Sequence, residues 1–113
     1  MDQKALSTRY TFEFYDGEKC EMSLAFILLK RLAGVNKNLY KRAQPILSNG
    51  TKDEFEVLTL LYTAYVCANM DEENLMSEDD FIVKCGSDRQ AIFTAVENLM
   101  GPKKQTASGK PSN

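Results

Sequence analysis

The sequence contains no histidine. This absence removes the commonest general base, every Ser-His or Cys-His nucleophile pair and the commonest transition-metal ligand. The glycines match neither G-x-x-x-x-G-K-[ST] nor G-x-G-x-x-G, so no phosphate-binding loop is predicted. The sequence therefore predicts a protein that is not an enzyme and has no catalytic residue, no cofactor and no bound metal.

Cysteine is scarce as well. Cys20, Cys67 and Cys85 are an odd number, lie far apart and form no CxxC pair, so neither a disulfide framework nor a zinc site is predicted. We expect reduced, mostly buried thiols. A nucleophilic Cys85 is the alternative, but only a lysine such as Lys84 is close enough in sequence to activate it.

Residues 71–80, the acidic segment, are the one stretch that suggests a divalent cation, because hard cations bind carboxylate oxygens. The spacing does not fit an EF-hand loop that starts at Asp71. Leu75 occupies the fifth position, which needs a ligand, and Met76 stands where the loop needs glycine. We therefore expect a solvated acidic loop whose last acids stabilise the start of a helix.

Long hydrophobic runs are also missing. The longest, Leu24 to Leu29, is far shorter than the roughly 18 apolar residues of a membrane helix and is expected to be a buried helix turn or two. The first seven residues have neither the apolar region nor the cleavage site of a secretory signal. We expect a single cytoplasmic domain with no membrane partner.

The charges are unevenly distributed along the chain. The formal net charge is −2, which argues against a general polyanion binder. Residues 22–52 contain bases and no acid, whereas the acidic segment contains acids and no base, so we expect an electrostatically two-sided molecule. The predicted partner-binding surface consists of Lys30, Arg31, Lys37, Lys41, Arg42, Glu72, Glu73, Glu78 and Asp79.

Residues 30–42, the basic segment, support an alternative function. Their lysines and arginines, with Tyr40 among them, resemble the positive face of a small nucleic-acid-binding regulator. Bases at a helix end also complement the helix dipole, and that interpretation explains Lys30 and Arg31 equally well. Nucleic acid is therefore the weaker interpretation.

The N-terminal part of the chain has a hairpin pattern. Aromatic and polar residues alternate on both sides of Asp16-Gly17, which predicts two antiparallel strands over residues 10–22. A two-residue loop would mix aromatic and charged side chains on one face. A three-residue loop that adds Glu18 makes the face uniformly apolar, by pairing Phe14 with Cys20 and Phe12 with Met22.

The rest of the sequence predicts helices over about 24–33, 36–48, 53–70, 78–85 and 88–100. Ser23 and Gly34 are the expected cap and stop of the first helix, and Pro45 is expected to kink or end the second. The third helix is apolar on nearly every side, Phe55 included, and is expected to be central.

The last two helices have clear boundary signals. Ser77 and Gly86 are expected to begin and end the short fourth helix. Ser87 and Gln90 fit a capping box before an apolar stripe that contains Phe93. The fold class is therefore α+β and mostly α, with an N-terminal β-hairpin packed on a bundle of four to five helices.

The predicted domain organisation has three parts. A flexible leader covers 1–9 and one globular domain covers 10–102. A disordered tail covers 103–113, because this segment has no large apolar residue to offset the cost of ordering the chain.

Several segments, in this order, resemble a family of tail assembly chaperones from phages and prophages of Gram-positive hosts. The similarity covers about residues 10–104 and rests on Tyr10–Gly17, Leu39-Tyr40, Leu61–Asn69, Ser77–Phe81, Ser87–Arg89 and Gly101–Lys104.

The resemblance implies a non-catalytic factor in the cytoplasm of a bacterial host cell. Members of that family coat the long tape-measure protein, help recruit tail-tube subunits and often self-associate. Their genes commonly make a longer product by ribosomal frameshifting, and Lys103-Lys104 would suit a slippery run of adenines. The resemblance carries no motif that assigns individual binding residues.

Overall fold

The computed structural model describes residues 9–100. Most of the expected leader, the expected domain end at Pro102 and the expected tail lie outside the described residues. Within them, an antiparallel hairpin precedes a set of helices, so the predicted α+β, mostly α fold is confirmed. The elements are β1 (Tyr10–Glu13), β2 (Lys19–Met22), α1 (Phe26–Val35), α2 (Lys37–Asn49), α3 (Glu54–Ala68), α4 (Glu78–Cys85) and α5 (Arg89–Met100).

The hairpin has the predicted apolar face but a different register. Phe12 lies opposite Cys20 and Tyr10 lies opposite Met22, so the expected pairing of Phe12 with Met22 is wrong by two residues. A shift by two keeps every side chain on the same face of the strand. Phe12 and Met22 are buried as expected, while the alternate positions along both strands are exposed.

The shift arises at the chain reversal. The Phe14 amide donates to the Glu18 carbonyl (2.7 Å), and the Gly17 amide donates to the Phe14 carbonyl (2.9 Å). These bonds leave a loop of Tyr15, Asp16 and Gly17, one residue earlier than expected. Gly17 has a φ of +92°, a value that glycine adopts without steric cost.

The segment from β2 to α2 differs from the predicted boundaries. Ser23 is fully buried, and its amide donates to the Ala64 carbonyl (3.1 Å), so it joins β2 to α3 and does not cap α1. Gly34 lies inside α1 and does not end it. The helix ends at Asn36, whose side chain accepts a hydrogen bond from the Leu39 amide (3.2 Å) and caps α2.

Pro45 does not end its helix. Helix α2 continues through it to Asn49. Proline removes only the hydrogen bond that its own nitrogen would donate to the carbonyl four residues earlier, at Lys41. Both residues are exposed, so water can hydrate that carbonyl.

Helix α3 is the centre of the fold, as predicted. It contacts β2 and all four of the other described helices. The Asp53 side chain accepts a hydrogen bond from the Glu56 amide (2.9 Å) at its start. The residues that its middle and end contribute to the buried interior are Val57, Leu60, Leu61, Thr63, Ala64, Tyr65, Val66 and Cys67.

Two tyrosines of α3 hold the acidic segment in place. The Tyr62 hydroxyl donates to the Met76 carbonyl (2.8 Å), and the Met76 amide donates to the Tyr65 hydroxyl (2.9 Å). The next residue, Ser77, accepts a hydrogen bond from the Asp80 amide (3.1 Å), so the predicted cap of α4 is confirmed. These bonds fix the position of the acidic segment on α3.

Helix α5 begins one residue later than the capping box implies. The Asp88 side chain accepts the hydrogen bond from the Ala91 amide (3.1 Å), so the cap is Asp88 and not Ser87. The acid competes successfully because a carboxylate binds an amide at the positive end of a helix more strongly than a hydroxyl does. None of the helices within residues 9–100 is long and apolar enough to cross a membrane.

Gly86 ends α4, as predicted, and its environment leaves little room for a side chain. Its φ is +71°, and a Cβ added there would lie 3.0 Å from the Tyr15 Cβ. We expect Gly86→Ala to lower the free energy of unfolding by about 1–3 kcal/mol, because strain and crowding add. Urea denaturation measures this change.

The matched control is Gly34→Ala. Gly34 is exposed and helical, and no atom beyond its chain neighbours and the backbone of its own helix lies within 4 Å of the added Cβ. This variant should be more stable than the original by up to about 1 kcal/mol. Equal stability of the two variants would contradict the steric role of Gly86.

Candidate protein-binding surfaces

The structure brings the basic and acidic segments together at two ion pairs. Both terminal nitrogens of the Arg42 guanidinium donate to the Glu78 carboxylate, each at 2.8 Å. A weaker contact of 3.4 Å joins Arg31 to the exposed Asp71. The charges at these positions therefore face each other within one molecule, and the expected two-sided separation does not hold for them.

The pair of Arg42 and Glu78 joins α2 to the first turn of α4. The hydrogen bonds that Arg42 donates to Glu78 are the main reason that the pKa of Arg42 is raised. Two-pronged pairing of a guanidinium with a carboxylate fixes orientation as well as distance. The sequence predicts that both residues bind a partner. Because they pair with each other, a structural role is enough to account for their charges.

The other predicted charged residues are exposed. None of them forms an ion pair with another residue between 9 and 100, apart from the weak contact of Arg31. They remain candidates for contact with a partner, and they are Lys30, Lys37, Lys41, Glu72, Glu73 and Asp79.

Several apolar side chains that the sequence placed in the core are exposed. Phe26 is 88% exposed and Ile27 is 46% exposed, so the run from Leu24 to Leu29 is not simply buried. Phe55 is 76% exposed, and Phe93 is 44% exposed. Single exposed apolar residues are ordinary, but groups of them mark surfaces that bind other molecules.

Phe93 belongs to a group that surrounds a small surface cavity of about 120 Å³. Leu58 on α3 and Ile92 on α5 provide apolar walls, and Gly86 and Ser87 complete the side formed by the turn between α4 and α5. We call this cavity and its rim the aromatic cavity.

Phe55 flanks the aromatic cavity. It follows the lining residue Glu54 by one position and precedes the lining residue Leu58 by three, which places it beside them on the helix surface. Tyr15 of the hairpin loop lies next to another lining residue, Gly86. One exposed aromatic residue, Phe93, therefore lines the cavity, and two more, Phe55 and Tyr15, neighbour residues that line it.

A charged pair stands at the rim of the same cavity. Arg89 donates to the Glu54 carboxylate through its Nε and through Nη2, the latter at 3.1 Å. These hydrogen bonds lower the pKa of Glu54 and raise the pKa of Arg89. The pair holds the first turns of α3 and α5 together and offers polar groups next to an apolar opening.

The cysteines lie in environments that disfavour the thiolate. Burial raises the pKa of Cys20 and of Cys67 to about 12, and the pKa of Cys85 to about 11. All three are free thiols. Lys84, the lysine considered as an activating base, instead donates to Asp16 and Glu18 of the hairpin.

No group of three or more histidine, cysteine, aspartate or glutamate side chains that could hold a metal ion occurs in the part of the chain that the structure describes. Within the acidic segment, Glu78, Asp79 and Asp80 lie in the first turn of α4, and Asp71 and Glu78 form ion pairs with the basic segment.

Sequence reasoning missed the aromatic cavity because it assigned Phe55 and Phe93 to the core. One signal was available. Helix α3 has apolar residues at almost every angular position, including its first turn, and a helix end seldom buries all of its faces. The lining residues Gly86 and Ser87 carry no such signal.

A scan against protein-family models, a search of curated proteins and a search of solved structures each found no match to this chain.

Proposed function

We propose that this protein is a non-catalytic protein-binding factor and that the aromatic cavity binds its partner. The observation that carries this proposal is the exposure of Phe55 and Phe93 beside an apolar cavity. Exposed aromatic residues around a pocket are typical of the few positions that contribute most of the binding energy in protein interfaces.

The size and lining of the cavity indicate what kind of segment it accepts. An opening of about 120 Å³ between apolar walls has room for a single apolar side chain and not for a folded partner. The ion pair of Glu54 and Arg89 beside it can exchange hydrogen bonds with polar groups that flank the inserted residue. An amphipathic helix, which repeats one apolar residue in every three or four, meets both requirements.

The resemblance described above suggests the identity of such a partner. We propose a tail assembly chaperone of a phage or prophage that acts in the cytoplasm, with the tape-measure protein as its main client and tail-tube subunits as further partners. A long client that contains amphipathic helices would present many apolar side chains of the required kind. The exposed aromatic residues supply the adhesive surface that such a factor needs.

Binding of purified tape-measure protein from the same genome tests the proposal. We expect the double variant Phe55→Ser, Phe93→Ser to bind at least tenfold more weakly, because loss of two central aromatic contacts costs about 2 kcal/mol or more. Isothermal titration calorimetry measures the dissociation constants.

The control is Phe26→Ser, which removes a still more exposed phenylalanine on α1 that is not among the residues lining the cavity. It should bind the client as the original protein does. Failure of the original protein to bind would overturn the choice of client. Unchanged binding by the double variant would overturn the choice of surface.

A small nucleic-acid-binding regulator is the second candidate. The favouring observation is that Lys30, Lys37 and Lys41 are exposed and have no ion pair among residues 9–100. Two arginines of the basic segment are already paired with acids, which leaves three of its five bases for phosphates. A steep loss of DNA or RNA affinity with added salt would distinguish this function.

A further inference from the structure

Helix α1 has an exposed face that the aromatic cavity does not use. Phe26 and Lys30 are four residues apart, as are Ile27 and Arg31, so these four side chains share one side of the helix. All four are exposed. The face therefore begins with apolar residues and continues, one turn later, with positive charge. We call it the α1 face.

The α1 face lacks a complementary acid of its own. Residues 22–52 contain no acid. Within the described residues Lys30 has no ion pair, and Arg31 has only the 3.4 Å contact with the largely solvated Asp71. A partner for this face should therefore supply carboxylates one helical turn away from an apolar side chain.

Helix α4 presents that pattern. Asp79 and Val83 are four residues apart and share one side of the helix, with Asp80 beside them. Val83 is 67% exposed, and both aspartates are exposed. Neither aspartate forms an ion pair with another residue in the range 9–100. We call this side the α4 face.

The two faces match when the helices run antiparallel. On α1 the apolar residues precede the bases, and on α4 the acids precede the apolar residue. Antiparallel pairing puts Val83 beside Phe26, and the same step of four residues puts Asp79 beside Lys30. Parallel pairing at the same spacing would set an acid against an apolar ring and leave the base unpaired.

We propose that the α1 face of one molecule binds the α4 face of a second copy of this chain, with the helices antiparallel. The contact comprises about one turn of each helix, well below the roughly 800 Å² per partner of a stable interface. Self-association is therefore weak, depends on protein concentration and weakens with added salt, because exposed charges contribute to it. This inference concerns a surface separate from the aromatic cavity and does not depend on the identity of the client.

Sedimentation equilibrium of the full chain, over a range of protein and salt concentrations, tests the proposal. Lys30→Glu alone and Asp79→Lys alone should each raise the dissociation constant at least tenfold, because each sets like charges against each other. An equimolar mixture of the two variants should associate as the original protein does. In the mixture, the carboxylate introduced at position 30 of one molecule faces the ammonium group introduced at position 79 of the other.

The mixture separates the contact from a loss of folding, because a misfolded variant would not regain association. Lys52→Glu is the matched control. It makes the same change of charge just before α3, at an exposed lysine outside the α1 face and outside the candidate partner-binding residues, and should leave self-association unchanged. A monomeric original protein at all concentrations would overturn the proposal, as would a mixture no more associated than its components.

Discussion

Replacement of Phe81 by alanine is expected to lower the free energy of unfolding by about 3–5 kcal/mol, the cost of deleting a large buried aromatic side chain. Phe81 is fully buried. Its ring centroid lies 5.4 Å from that of Tyr65, 5.5 Å from that of Tyr62 and 5.7 Å from that of Phe14. This single side chain thus joins α4 to α3 and to the hairpin.

The loss should exceed that of an average core substitution because several weak contacts depend on the ring. Each aromatic pair adds about 0.5–1.5 kcal/mol beyond the burial of its area. Tyr62 and Tyr65 also hold both backbone groups of Met76, so movement of their rings would loosen the acidic segment. Domains of this size have total stabilities of about 5–15 kcal/mol, and the variant would therefore lie near the limit of folding.

Urea denaturation followed by far-ultraviolet circular dichroism measures this effect. Val83→Ala on the same helix is the control, because Val83 is mostly exposed and its truncation should change stability by less than about 0.5 kcal/mol. The prediction would be wrong if Phe81→Ala lowered the free energy of unfolding by less than about 1.5 kcal/mol. Such a small loss would mean that neighbouring side chains relax into the space left by the ring.

Elements with a strong local signal could be predicted from the sequence. The alternation of aromatic and polar residues identified the apolar face of the hairpin, and Ser77 and Gly86 identified the ends of α4. Each of these signals acts within a few residues. The strand register depends instead on where the chain reverses. The hydrogen bond between Phe14 and Glu18 closes the loop one residue earlier than expected. The Asp16-Gly17 pattern does not distinguish between these two loop positions.

The helix boundaries around α1 were missed for a tertiary reason. Ser23 is a good cap by propensity, but its amide bonds to Ala64 on α3, and that contact delays the start of α1 until Phe26. At the next boundary, Asn36 ends α1 and begins α2 at once, which leaves Gly34 inside the helix. Propensity is a weak influence compared with such contacts.

The candidate site was predictable only in part. Exposure of the lysines follows from their chemistry, and the structure agrees with it. The pairing of Arg42 with Glu78 spans 36 residues of sequence, and no local rule selects that acid among its neighbours. Phe55 is exposed because no other element covers it at the start of α3. Which elements cover that end depends on how all the helices pack, and a local sequence pattern does not show this.

The second large effect is a loss of stability in alkaline solution. Burial raises the pKa of Cys20, Cys67 and Cys85 well above the value of 9.0 for an exposed thiol, and the presence of Cys85 near Cys20 raises the pKa of Cys20 further. Above about pH 9 the unfolded chain releases these protons while the native chain keeps them. The native state then binds more protons, so the free energy of unfolding must fall as the pH rises.

Stability from these thiols is therefore fully present below about pH 9 and is lost progressively until the pH passes 11–12. Each titrating thiol contributes a slope of up to about 1.4 kcal/mol per pH unit. Raised pKa values of Tyr62 and Lys84 act in the same direction. The three thiols together should lower the free energy of unfolding progressively above about pH 9, and the half-buried Cys20 should contribute less than its slope implies because solvent screens it.

Urea denaturation at a series of pH values from 8 to about 11 measures the slope. The control is Cys20→Ala, which removes one of the three groups while deleting only a half-buried side chain, and should reduce the slope accordingly.

Alkylation by iodoacetamide gives an independent check. At pH 8 the native thiols should react roughly a hundredfold or more slowly than those of the urea-unfolded chain, because only the thiolate attacks. Native alkylation at the unfolded rate, together with a stability that does not change up to pH 10, would show that the thiols are solvated and that their burial does not govern the alkaline limit.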